Sequence, residues 1–157
     1  MSEITISDIQ RISREELSSQ LLSPSAPALP KSIAIIDVRD SDHIGGHIKG
    51  STHIPSSQLD YKVPELVRIL NDKEAVVFHC ALSQQRGPSA ALRYMRERKR
   101  LLGLPEKGEG KTEETEAKNR EQKVLVLDGG FVKWQEKYGE DKRLTEAYQK
   151  DIWEFGY

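Results

Sequence analysis

The chain holds a single cysteine, Cys80, among its 157 residues. One thiol cannot close an internal disulfide, and a free working thiol fits a reducing compartment. Charge of one sign is equally scarce. Twenty-four Lys and Arg against 25 Asp and Glu leave a net charge of −1. That balance gives no argument for nucleic acid or an acidic membrane surface as the main partner. No apolar run approaches the length of a membrane span. The opening Met1-Ser2-Glu3-Ile4 has neither a basic start nor an apolar core, so no secretory signal is expected there. These absences together point to the cytoplasm, with the nucleus as a second compartment.

What remains is a polar but foldable composition, 36% hydrophobic and 31% charged, expected to form one domain over residues 1–157. Ile4 to Ile12 alternates loosely, as a short strand would. Ser13 caps a helix running through Leu21, with Glu16 completing a capping box. The proline-rich stretch Ser23–Pro30 reads as a surface loop. Ser32–Asp37 is a buried strand ending in an acid, and Asp37-Val38-Arg39 lies where α/β folds place functional groups. Leu66, Val67 and Leu70 set a helix over Val63–Asn71, with Pro64 in its first turn. Leu92 and Met95 continue an apolar face on a later helix. The basic cluster Arg96, Arg98, Lys99 and Arg100 reads as a solvated helix end.

More than half of residues 96–123 are charged. About 104–122 therefore reads as a mobile insertion, too polar to offset its ordering entropy. Lys123–Leu127 is another buried strand. Phe131, Trp134 and Tyr138 form a helical stripe stopped at Gly139, and Leu144, Tyr148 and Ile152 suggest a final helix. Strands alternating with helices predict an α/β fold: a mostly parallel central sheet of about five strands with helices on both faces.

The chemistry concentrates between Ala75 and Ala91. Ala75–Phe78 is a buried strand, His79-Cys80 ends it, and five residues separate Cys80 from Arg86. Gly87-Pro88 then opens a helix, where proline's missing N–H costs nothing. A loop entering a helix can turn several N–H groups inward on a tetrahedral oxyanion. The oxyanion loop is Ala81, Leu82, Ser83, Gln84, Gln85 and Arg86, and the Arg86 fork can clamp two oxygens. The same positive field favours a thiolate, the form of a cysteine that attacks. Cys80 and Arg86 are the catalytic candidates. His43 and His47 stand four apart, but Gly45 and Gly46 argue against a helical metal site, so no metal is expected.

His79-Cys80, Ser83, Arg86, Gly87 and Pro88 resemble the active-site loop of the rhodanese-fold phosphatases and arsenate reductases. Asp37-Val38-Arg39, Gly45-Gly46-His47-Ile48-Lys49-Gly50-Ser51 and Gly129-Gly130-Phe131 with Trp134 extend the resemblance. The nearest branch is that of the M-phase inducer phosphatases and the small eukaryotic arsenate reductases. The resemblance implies a rhodanese-like fold and a loop of seven residues from Cys to Arg inclusive, one longer than in sulfurtransferases. It also implies that Asp37 and His47, with His79, support the loop.

Two activities follow as expectations. The first is a tyrosine or dual-specificity protein phosphatase acting through a cysteinyl-phosphate on a phosphoprotein or small phosphate ester. M-phase inducer loops carry glutamates where this chain has Ala81 and Gln85, so a proton donor must come from outside: Asp37, Asp40 or Asp42. The second is arsenate reduction with glutathione and glutaredoxin as external reductant, no bound cofactor being needed. Sulfur transfer and a non-catalytic anion-binding module are the lesser readings.

Overall fold

The structure is a computed structural model, and it describes residues 8–22, 33–83, 85–101 and 122–155. The Ser23–Pro30 loop, Gln84 and nearly all of the charged insertion lie outside the described residues. Along the chain run β1 (Gln10–Ile12), α1 (Arg14–Leu21), β2 (Ile33–Asp37), β3 (His47–Ile48) and β4 (Thr52–His53). They are followed by α2 (Leu59–Ile69), β5 (Ala75–His79), α3 (Arg86–Leu101) and β6 (Lys123–Leu127). The chain then adds α4 (Gly130–Tyr138), β7 (Thr145–Glu146) and α5 (Lys150–Phe155).

Five strands form one sheet in the order β1-β6-β5-β2-β4, and every pairing in it is parallel. A parallel sheet puts all carboxyl ends on one edge, so the segments after β2, β5 and β6 meet there. In β2 the side chains alternate between two cores. Ala34 and Ile36 pack with Leu59, Val63, Leu66, Ala90 and Tyr94 from α2 and α3. Ile33 and Ile35 pack with Leu17, Phe131 and Trp134 from α1 and α4. Both faces are therefore covered, which suits a sheet buried on each side. Removing the Trp134 side chain, fully buried, would cost about 3–5 kcal/mol. Among the described residues no helix is long and apolar enough to cross a membrane.

Local expectations hold where short-range chemistry decides. The Ser13 hydroxyl accepts the Glu16 N–H at 3.0 Å, capping α1. Three expectations are corrected. Helix α2 begins at Leu59, not Val63, so Pro64 lies inside it. Leu59 and Val63 extend the buried stripe one turn back, and proline's missing N–H faces an early-turn carbonyl on the exposed side. On α3 the buried face is Gly87, Pro88, Ala90, Ala91, Tyr94 and Arg98, while Leu92 and Met95 are only half-buried. Arg98 is thus part of the packed face, only 7% exposed, instead of a solvated end. Finally, Leu144 and Tyr148 do not share a helix with Ile152. Thr145 and Glu146 pair antiparallel with Ile48 and His47, and Thr145 Oγ1 accepts the Trp134 indole N–H at 3.0 Å.

Candidate active site

Cys80 follows directly on β5, the middle strand of the sheet. The loop that starts with it is shaped by α4. The carbonyl of Cys80 accepts the Phe131 N–H at 3.0 Å, and that of Ala81 accepts the Val132 N–H at 2.9 Å. Peptide units are planar and trans, so the next N–H groups, of Ala81 and Leu82, point away from α4. Room for this contact depends on Gly130. Its φ is +61°, and a Cβ there would stand 2.4 Å from the Ala81 oxygen and 2.6 Å from the Cys80 oxygen.

Ser83 closes the loop back on the sulfur. Its N–H donates to Cys80 Sγ at 3.1 Å, and the Cys80 N–H donates to its hydroxyl at 3.4 Å. Ser83 is fully buried at φ 56°, a left-handed conformation unusual for a residue with a side chain. Arg11, on the edge strand, donates from Nη1 to the Ser83 carbonyl at 3.1 Å, again turning a carbonyl away. Cys80 itself is 3% exposed and lies beneath this loop, whereas Leu82 stands out into solvent.

Arg86 opens α3, so the guanidinium belongs to a helix N-terminus. In the structure the fork is held by carboxylates. Nη1 and Nη2 bind the two Asp42 oxygens at 2.8 and 2.6 Å, and Asp40 Oδ2 lies 3.5 Å from Nη1. Hydrogen bonding to Asp42 holds Arg86 charged well above its ordinary range, against partial burial, with the Asp42 and Cys80 charges adding to the hold.

The acids named as outside proton donors are all engaged. Asp40 accepts the Ser56 hydroxyl at 2.6 Å and the Ser57 N–H at 3.2 Å. The Ser56 bond holds its carboxyl below the ordinary range despite some burial. Asp42 accepts the Asp40 N–H at 2.8 Å besides binding Arg86.

Asp37 is fully buried at the end of β2, with Arg39 Nε at 3.0 Å from each oxygen and Nη2 at 2.7 Å. Burial pushes this carboxyl up; the charge of His79 when protonated, and then the hydrogen bonds and charge of Arg39, pull it below its ordinary value. Arg39 also donates to the Gly46 carbonyl at 2.8 Å and stacks 4.4 Å from the Phe131 ring centre. It joins the segment carrying Asp40 and Asp42 to α4.

His79 is fully buried, and burial pushes its imidazole down, so it is neutral. Nδ1 lies 3.0 Å from the Cys80 carbonyl and therefore carries the ring proton. Nε2 has no hydrogen-bond partner among the described residues. His47 stands elsewhere, on the β3–β7 ribbon, with Nε2 3.4 Å from Glu146 Oε1. Among the described residues its polar contact is to that ribbon. Among the described residues no group of three metal-ligating side chains forms a site.

Arg11 is the site residue that sequence reasoning misses, and Asp42 and Gly130 stand there without their ties to Arg86 and to the Cys80 and Ala81 carbonyls. The Gly129-Gly130 pair was a visible signal, since two adjacent glycines before a helix mark a close backbone approach. Arg11 carried no local signal at all.

Comparison with known proteins identifies the family. The rhodanese-like domain model matches residues 20–137. A CDC25-like phosphatase of Saccharomyces cerevisiae, YCH1, is 34% identical over 98% of this chain and 99% of its own. Arsenate reductase 2.2 of rice (Oryza sativa subsp. japonica) is 40% identical over 66% of this chain and 69% of its own. A solved yeast protein tyrosine phosphatase of the rhodanese family superposes with a TM-score of 0.69 at 33% identity, covering 96% of this chain and 99% of that one. The chain therefore belongs to the rhodanese-like family, in the branch that holds Cdc25-like phosphatases and arsenate reductases.

Proposed function

We propose that the protein is a cysteine-dependent phosphatase that cleaves phosphate monoesters, tyrosyl phosphate foremost, through Cys80. The observation that carries this is the Ser83 N–H aimed at Cys80 Sγ at 3.1 Å, with charged Arg86 at the other end of the same loop. The relative and the solved neighbour that match along almost the whole chain bear phosphatase names.

In the first step the Cys80 thiolate attacks phosphorus, the bond to the ester oxygen breaks, and the alkoxide or phenolate leaves with the electron pair and takes a proton from water. Inward N–H groups and Arg86 stabilise the charge on the non-bridging oxygens. Water then attacks the cysteinyl-phosphate, releasing inorganic phosphate and the thiolate. His79 holds the Cys80 carbonyl, and Asp37 with Arg39 holds the strand end beside it.

One observation favours a second reading, arsenate reduction. The acids weighed as proton donors are all engaged: Ala81 and Gln85 are not acids, and Asp37, Asp40 and Asp42 are held by Arg39, Ser56 and Arg86. Thiol–arsenate adduct formation expels hydroxide or water and leans less on such a donor. With a single cysteine, an external thiol such as glutathione, with glutaredoxin, would take up the resolving and reducing steps. The cytoplasm or nucleus is the proposed compartment.

Purified protein is given an aryl phosphate and, separately, arsenate with glutathione and glutaredoxin, with Cys80→Ser and Arg86→Ala as controls. Phosphate release lost in both variants supports the phosphatase. Arsenite formation alone moves the assignment to the reductase, and activity on neither overturns both.

A further inference from the structure

A guanidinium that must grip an oxyanion has conformational freedom to lose, and an acid already grips this one. Asp42 takes the end-on edge of Arg86, one oxygen on each Nη, at 2.8 and 2.6 Å. The Nε edge carries no bond to a described residue. A planar guanidinium can bind two partners at once through its two edges.

Asp42 is itself fixed. Its Oδ1 accepts the Asp40 N–H at 2.8 Å. Asp40 is anchored in turn by Ser56 and Ser57 ahead of α2. The whole segment hangs between Arg39, which donates to the Gly46 carbonyl at 2.8 Å, and Trp153, whose indole N–H donates to the Gly45 carbonyl at 2.9 Å.

The geometry points to Asp42 as the positioning residue of this site: it holds the outer edge of Arg86 so that the Nε edge faces the oxyanion on Cys80. This rests on the phosphatase reading and goes beyond it by giving the acid a role other than proton transfer. Two rivals use the same contact. As a latch, Asp42 would compete with the substrate for Arg86. As a general acid, it would protonate the leaving group.

The test compares wild type, Asp42→Asn, Arg86→Ala and the double variant. Asn keeps shape and one acceptor but loses the charge-assisted pair. Positioning predicts that Asp42→Asn lowers kcat about tenfold, a tenth of what a full misplacement costs, with KM little changed. The loss is equal for good and poor leaving groups, and it vanishes in the Arg86→Ala background. Faster turnover in Asp42→Asn, a loss that grows with leaving-group pKa, or additive losses each overturn the proposal.

Alkylation of Cys80 gives a readout free of turnover. The rate with anionic iodoacetate over that with neutral iodoacetamide reports how well Arg86 serves an anion at the sulfur. Positioning predicts a lower ratio in Asp42→Asn, although a negative charge has been removed. An unchanged or raised ratio contradicts it. A wild type that turns over neither substrate sinks the enzyme reading alone, and this ratio still decides the role of Asp42.

Discussion

Ser83 reaches back three residues to place its N–H 3.1 Å from the sulfur of Cys80, and it does so at φ 56°. A left-handed turn at a non-glycine residue is held by its surroundings, here the bonds to Cys80 and Arg11. Such a conformation costs of order 1–3 kcal/mol when the side chain is β-branched. Ser83→Gly is expected to keep the fold stability within about 1 kcal/mol of wild type. Ser83→Val is expected to lose about 1–3 kcal/mol and most of the activity. Chemical denaturation and kcat/KM measure both, and equal behaviour of the two variants contradicts the account.

Gly130 and Gly87 offer a matched pair. A Cβ on Gly130 collides with the Cys80 and Ala81 carbonyl oxygens, and its φ is +61°. Gly130→Ala is expected to destabilise by about 2 kcal/mol or more and to cut activity at least about tenfold. A Cβ on Gly87 meets its neighbours at 3.4–3.5 Å, an ordinary contact. Gly87→Ala, within a helix, is expected to keep activity and fold as well as wild type.

Engaged acids leave the departing group without a donor. Hydrogen bonds and ion pairing hold the Asp37 and Asp40 carboxyls below their ordinary range against burial, and Asp42 spends both oxygens on Arg86. Rates should then depend steeply on leaving-group pKa: a phenol near pKa 10 leaves far more readily than an alkyl alcohol. A phosphotyrosine peptide is expected to turn over at least about a hundredfold faster than a matched phosphoserine peptide, the factor a positioned acid supplies. Equal rates on both contradict the absence of a donor.

Stability should also fall on the acid side, in two stages. Burial lowers the folded pKa of His79, so below about pH 6.5 the unfolded chain binds a proton that the folded chain refuses. The loss is at most about 1.4 kcal/mol per pH unit for this histidine. His43 is pushed down by partial burial as well, and adds less. Asp37, held below its ordinary value, stabilises above the unfolded carboxylate pKa of about 4, and that contribution disappears as pH falls through the folded pKa. Urea unfolding from about pH 7.5 to 3.5 tests this, with His79→Asn expected to flatten the upper stage. A flat profile between neutrality and about pH 5.5 is the contrary result.

The strand, loop and helix around Cys80 were legible because their signals are contiguous: an apolar run, a Gly-Pro pair and a helical stripe. The same holds for the Ser13 cap and for Asp37 at the end of its strand. What was hidden is long-range. Arg11 meets Ser83 across 72 positions, and Asp42 meets Arg86 across 44. Neither spacing leaves a period in the sequence. Pro64 resembles a first-turn proline, but burial of Leu59 and Val63 decides where α2 starts. The spacing of Leu144 suits a helix, but strand pairing of Thr145 and Glu146 wins.

The most direct measurement is an acid quench of the wild-type protein during turnover of an aryl phosphate, followed by mass spectrometry of the peptide containing Cys80. The account predicts a phosphoryl group on that sulfur, absent from Cys80→Ser together with all phosphate release. Phosphate release that persists in Cys80→Ser, or a phosphoryl group on any other side chain, would contradict it.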